Sequence, residues 1–291
     1  MTIHYYTVAG HTFGVKMSEQ EGGIVLPSYE PFAVEGDDTC RLLFALTVDD
    51  AFYPSVKGEL IGEFDCGAAD FGVYRLVDGT YQMLISPPGG RYCGLLQASS
   101  DFSVATIATR GDDSLRTFAV NNALMLMYAF AAADKSTLLI HASVIKNNDW
   151  GYLFLGKSGT GKSTHSNLWL KHIAGSELLN DDNPVVKIEE EGVRVYGSPW
   201  SGKTPCYKND SALIGAFVQI KQEPENHIRR EQPLQAFAVL LPSISTMKWD
   251  KRVYGSICDG VGQLIARVPL YTLGCRPDQE AAEVCHAKVV R

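Results

Sequence analysis

The sequence predicts an α/β chain, with an α+β mixed sheet, in which a β-rich N-terminal region at residues 1–112 precedes a phosphate-loop nucleotide-binding domain at residues 113–291. Three observations carry this expectation. Short alternating apolar runs separated by turn residues fill the first 110 or so positions. The glycine-rich run "GKSGTGKST", Gly156 to Thr164, stands between the apolar "GYLFL" and the helix-like "HSNLWLKHIAG". Beyond Ala133 strand-like and helix-like segments alternate, the pattern of a nucleotide-type domain.

In chain order, "HYYTVAGHTFGVKM" and "RLLFALTV" read as strands. "VYRLV" and "YQMLI", joined by Asp78-Gly79-Thr80, read as a hairpin, because Asp-Gly supplies the backbone conformations a tight connection needs. Pro87-Pro88-Gly89-Gly90 breaks the chain before "RYCGLL", and Asp101 to Thr109 alternates as another strand. Ser114 is expected to cap a linking helix at residues 114–133, where apolar residues recur at helical spacing.

After this helix come "TLLIHASVI" and "GYLFL" as strands, then the glycine run, a helix closed by Gly175, and "SELLN" ending at Asp181-Asp182. "PVVKI" and "VRVYG" flank Glu190-Glu191-Gly192 as a second hairpin. Strands "AFVQIKQ", "HIRREQ" and "VPLYTLGC" and helices near 233–241, 250–266 and 277–289 complete the chain.

Composition narrows the function classes. A net charge of -7 with no Lys/Arg run longer than two argues against nucleic acid as a partner, because phosphate-backbone binding rests on clustered cations. No apolar run approaches bilayer length and the N-terminus lacks a leader pattern, so no membrane association is expected. Seven scattered cysteines without a CxxC pair suit a reducing, cytoplasmic setting and read as small buried hydrophobes.

The glycine run matches GxxxxGK[ST] at Gly156, Gly161, Lys162 and Ser163, after a strand and at the start of a helix. In such a loop backbone N–H groups converge on phosphate oxygens and the helix N-terminus favours negative charge. The expected nucleotide contacts are Gly156, Lys157, Ser158, Gly159, Thr160, Gly161, Lys162, Ser163 and Thr164, with Lys162 reaching the β/γ-phosphates and the Ser163 hydroxyl ligating Mg²⁺. Asp181 and Asp182, at a strand end beside the loop, are the candidates for holding the metal and taking the acceptor proton. Which carboxylate does which stays open at this point.

"GKSGTGKSTHS" followed by "LLNDDNPVV" resembles the phosphate loop and acidic pair of the ATP-dependent phosphoenolpyruvate carboxykinases and of the HPr kinase/phosphorylases, which phosphorylate a serine of a small carrier protein. In both families the carboxylates follow the loop unusually soon, as here. The resemblance implies a PEP carboxykinase-like phosphate-loop fold, ATP and Mg²⁺ as cofactors, and transfer of a γ-phosphoryl group to a hydroxyl on a protein serine or small metabolite. It also marks His141, in "LLIHASVI", as the counterpart of an active-site histidine on the preceding strand; taken alone, such a residue reads as a core histidine. The chain departs from the HPr kinase pattern at Asn183, where a third carboxylate is usual, and in "YGSPWSGKTPC". In that segment Trp200 offers an aromatic face and Ser201 and Lys203 candidate phosphate contacts, while Arg229 and Arg230 are a further candidate clamp.

Two alternatives stand beside the kinase expectation: a nucleotide-binding regulator with little turnover, and a module whose loop binds nothing. The expected partners are a nucleotide and a phosphate acceptor, with self-association into a homo-oligomer left open.

Overall fold

The computed structural model describes residues 2–17, 24, 26–36, 41–52, 58–65, 69–202 and 204–290. Cys40, Cys66 and Lys203 therefore lie outside the described residues. Two compact units emerge, Met1–Ala132 with Met247–Asp250, and Ala133–Thr246 with Lys251–Arg291.

Among its described residues the first unit holds nine strands: β1 (Thr2–Val8), β2 (His11–Met17), β3 (Ala33–Val34), β4 (Ala45–Val48), β5 (Glu59–Asp65), β6 (Asp70–Arg75), β7 (Tyr81–Ser86), β8 (Gly94–Ala98) and β9 (Val104–Thr109). They form one sheet in the order β3-β1-β2-β4-β9-β8-β7-β6-β5, antiparallel except at β2/β4 and β4/β9. The Asp-Gly hairpin joins β6 to β7, and Asp78 Oδ1 accepts from both the backbone N and the hydroxyl of Thr80, at 2.9 and 2.7 Å.

Helix α1 (Asp113–Ala131) packs on β7, β8 and β9. Its cap is Asp112 rather than Ser114, because the Asp112 carboxylate already accepts the Leu115 N–H at 3.0 Å and sets the helix start two residues earlier. From Ala119 the helix is buried almost throughout, and Tyr128 donates its hydroxyl hydrogen to Val8 O at 2.9 Å.

The second unit carries β10 (Thr137–Leu139), β11 (Ala142–Asn147), β12 (Trp150–Leu155), α2 (Lys162–His172), β13 (Ser176–Asn180), β14 (Val185–Ile188), β15 (Val193–Tyr196), β16 (Ser211–Gln222), β17 (His227–Arg230), α3 (Pro233–Leu240), α4 (Lys251–Arg267), β18 (Leu270–Cys275) and α5 (Gln279–Val289). Its mixed sheet runs β10-β14-β15-β16-β12-β11-β13, with β18 joined to β16 and β17. Strands β12, β16 and β18 are mutually parallel, so their carboxyl ends share one edge of the unit.

The run "TLLIHASVI" is not one strand but two, β10 and β11, interrupted at Ile140 and His141. Three foreign backbone partners cause the break. Ile140 bonds Pro184 O, His141 bonds Ser243 O and Ala142 bonds Asp182 O through their N–H groups.

Helices α2 and α5 pack together around Trp169, which is fully buried with ring centroids 5.1 Å from Tyr152, 5.6 Å from Phe154 and 5.4 Å from His286. Trp169 thus fixes α2 on β12, and with it the loop between them. Trp169→Ala is expected to cost about 3–5 kcal/mol, read as a lower urea midpoint, because no neighbour can fill the space of an indole.

Candidate functional site

Strand β12 ends at Leu155 and α2 begins at Lys162, so Gly156 to Gly161 form the connection. Gly159 and Gly161 hold φ of 82° and 102°, the left-handed region that a side chain disfavours, and space for a Cβ is open at both. The requirement for glycine there is conformational. The loop is braced from within by Thr160, whose N–H and hydroxyl both donate to Lys157 O, at 3.2 and 2.8 Å.

Lys162 is buried, and its Nζ donates to Gly156 O at 3.0 Å and meets His141 Nε2 at 2.8 Å. An ammonium has only hydrogens to give, so His141 Nε2 accepts and its ring proton sits on Nδ1. That nitrogen lies 3.5 Å from Asp182 Oδ1. Burial, with Lys162 adding to it, pushes His141 down to about 4, so the contact with Asp182 involves a neutral ring at pH 7 and is no ion pair. Burial also lowers Lys162, against the opposing pull of Asp182 and Asp181.

Asp182 shows the reverse effect. Burial raises its carboxyl to about 6, outweighing the nearby Lys162 charge, while Asn183 Nδ2 donates to Oδ2 at 2.7 Å. Asp181 faces another set of partners: Ser143 donates its hydroxyl hydrogen to Oδ1 at 2.8 Å, and Ser166 Oγ lies 2.6 Å from Ser143 Oγ. Since the Ser143 proton is committed to the carboxylate, Ser166 is the donor in that second bond.

The turn bearing the pair is held by Asn180, fully buried, whose Oδ1 accepts the Asp182 N–H at 2.9 Å and whose Nδ2 donates to Ser198 Oγ at 3.1 Å. Ser198 in turn donates to Asn183 O at 2.6 Å, and Asn183 N–H donates to Trp200 O at 3.1 Å.

The structure thus brings His141, Lys162 and Asp182 into one cluster, with Asp181 beside it and Ser163 at the helix start. Ser143, Ser166, Asn180 and Ser198 are positioning residues that the sequence reading passed over. The signal for Ser143 was present: it lies two residues after His141 and so on the same side of an extended chain. Trp200 departs from expectation, since its indole is buried at 2% exposure, while its backbone serves the turn, the N–H donating to Ser198 Oγ at 3.2 Å and the carbonyl accepting from Asn183 N–H. Arg229 and Arg230 lie exposed on β17, with Arg229 paired to Glu231 at 3.0 Å.

The candidate cation ligands, the Ser163 hydroxyl and the Asp181 and Asp182 carboxylates, carry oxygen donors, which suits Mg²⁺. Among the described residues no group of three or more His, Cys, Asp or Glu forms a metal cage. A Mg²⁺ ion carried on phosphates needs only one or two protein ligands. No described helix is long and apolar enough to cross a membrane.

No family model matches the chain, and no curated protein does. Among solved structures, the HPr(Ser) kinase/phosphatase from Coxiella burnetii is similar over 51% of this chain and 86% of its own, with 12% identity and a TM-score of 0.31.

Proposed function

We propose that this chain is an ATP-dependent kinase of the HPr kinase-like kind, moving the γ-phosphoryl of Mg·ATP to a hydroxyl of a protein serine or small molecule, with its machinery in the second unit. The observation that carries the reading is the contact of Lys162, at the glycine-loop end, with His141 beside the Asp181-Asp182 pair.

In this reading the loop N–H groups and Lys162 hold the triphosphate. Asp181, fixed by Ser143, and the Ser163 hydroxyl would hold Mg²⁺, which when bound offsets charge on the phosphate oxygens. Asp182 takes the proton of the acceptor hydroxyl, and a carboxyl near 6 is well matched to that task at neutral pH. The acceptor oxygen then bonds the γ-phosphorus, the bond from that phosphorus to the bridging oxygen breaks, and ADP leaves. His141, neutral and fixed by Lys162, orients Asp182 rather than giving up a proton.

Thermal unfolding with Mg·ATP tests the binding step. Nucleotide at about 100 times its dissociation constant should add about 2.7 kcal/mol, a shift of several degrees, and Lys162→Ala should abolish it. Loss of labelled γ-phosphate from ATP, measured alongside, tests turnover. No shift with any nucleotide would overturn the proposal, and a shift without turnover would favour a nucleotide-responsive regulator.

A further inference from the structure

The phosphoryl-transfer reading gives no task to the Asn183 side chain or to the loop from Ser198 to Cys206, yet both bear on the Asp182 carboxyl. The main chain of Asp182 is held on both sides, its N–H by Asn180 Oδ1 at 2.9 Å and its carbonyl by the Ala142 N–H at 2.8 Å. Only the side-chain torsions remain to be fixed. Asn183 supplies one restraint. Its backbone is committed to the turn, the N–H to Trp200 O at 3.1 Å and the carbonyl to the Ser198 hydroxyl at 2.6 Å, which leaves its amide for Asp182 Oδ2 at 2.7 Å. An ionised carboxylate can only accept, so this is a charge-assisted bond donated by Nδ2.

The loop supplies the other restraint. It is anchored at both ends by buried residues, Ser198 at its start and Cys206 at its finish, where the thiol hydrogen points to Leu179 O at 3.4 Å. Between these anchors Gly202 and Thr204 are exposed, and Ser201 closes the tip by donating its hydroxyl hydrogen to Thr204 O at 2.7 Å. Gly202 lies directly against the acidic pair. A Cβ there would stand 3.2 Å from Asp182 Cβ, 3.4 Å from Asp182 Cγ and 3.1 Å from Asp181 O. Unlike Gly159 and Gly161, Gly202 has no left-handed φ, so its lack of a side chain answers to space and not to backbone conformation. With the Asp182 main chain pinned, a side chain at position 202 must turn the carboxyl or lift the loop.

We propose that Asn183 and Gly202 are positioning residues for Asp182, which together present its Oδ1 to the acceptor hydroxyl. The amide holds Oδ2, the bare Gly202 backbone covers Cβ and Cγ, and Oδ1, in a looser contact of 3.5 Å with His141 Nδ1, is left as the oxygen that takes the proton. The inference rests on the kinase reading, which gives Asp182 its role as base. A misplacement of about 1 Å at a reacting group can cost on the order of 10²-fold in rate, so holding this one carboxyl in direction is worth a comparable factor.

The test is a pair of double-mutant cycles on the full chain. Asn183→Ala and Gly202→Val are each made alone and together with Asp182→Ala, and read by release of labelled γ-phosphate from Mg·ATP to water, by Mg·ATP affinity in calorimetry and by the urea midpoint. Each single variant should lower turnover about tenfold to a hundredfold while the ATP dissociation constant stays within about twofold, and neither should lower turnover further once Asp182 is gone. A merely structural role would repeat its loss in both backgrounds. The urea midpoint is the folding control, and Asn183→Ala should lower it more in the wild type than in Asp182→Ala. A turnover loss that persists in Asp182→Ala, or unchanged turnover in either single variant, would overturn the inference. If the wild type turns over no ATP, the kinase reading fails first. The urea cycle then decides the hold on Asp182 by itself, coupled midpoints retaining it and additive ones removing it.

Discussion

On the kinase reading, Asp182→Asn is expected to slow phosphoryl transfer steeply and, in metal-free buffer at pH 7, to raise the melting temperature. A carboxyl moved from 3.8 to about 6 by burial works against folding at neutral pH, by up to roughly 3 kcal/mol, because the unfolded chain ionises it more readily. About a quarter of the side chain remains exposed, so a gain of about 1–2 kcal/mol, a few degrees, is the expected reading. The amide keeps an acceptor for Asn183. Turnover should fall by about 10²–10⁴, the usual worth of a general base.

The pH profile supplies the sign. Asp182, raised in the folded chain, contributes stability that is present below 3.8 and lost as pH rises through about 6. His141 and His165, lowered from 6.5 to about 4, contribute stability that is present above 6.5 and lost as pH falls through about 4. Between pH 4 and 6 the carboxyl therefore offsets one histidine in the wild type. Asp182→Asn removes that offset, so its stability should climb more steeply with pH across this window. Parallel profiles for the two proteins would show that Asp182 ionises normally.

Lys162→Met, which keeps the apolar stem and deletes the charge, should lower nucleotide turnover by about 10²–10³, the loss typical of removing one donor to a developing anion. It has a second readout that does not depend on chemistry. His141 is held down first by burial and then by the ammonium, so the variant's imidazole should titrate above about 4 yet below 6.5 when followed by NMR. An unchanged His141 titration would separate the two side chains in solution. Stability should change little, since the lost bond to Gly156 O is set against relief of a buried cation.

The strand, glycine connection and helix from Trp150 to His172 were legible because flanking pattern and loop composition agree. The interruption at His141 was not. "TLLIHASVI" is apolar enough for one strand, and what divides it lies at Pro184, Asp182 and Ser243, distant in sequence and free of any local signature. The shifted start of α1 is a milder case, since Asp112 and Ser114 are both good caps and only the side-chain geometry decides between them. Burial of Trp200 was hidden for the opposite reason: "GSPWSG" reads as a surface loop by its turn residues, although Ser198 and the Trp200 carbonyl turn it inward to support the acidic pair.

The placement of β16 between β12 and β15 has a consequence for how the chain comes into being. The side chains His141, Lys162, Asp181 and Asp182 are all synthesised before Ser211, yet β12 has only β11 along one edge until β16 arrives to cover the other. A nascent or truncated chain ending before Ser211 possesses these four side chains of the proposed site but leaves the apolar "GYLFL" with an open edge, a template for pairing with another copy. Such a chain should aggregate rather than bind nucleotide, and completion of one late strand marks the moment at which it becomes competent.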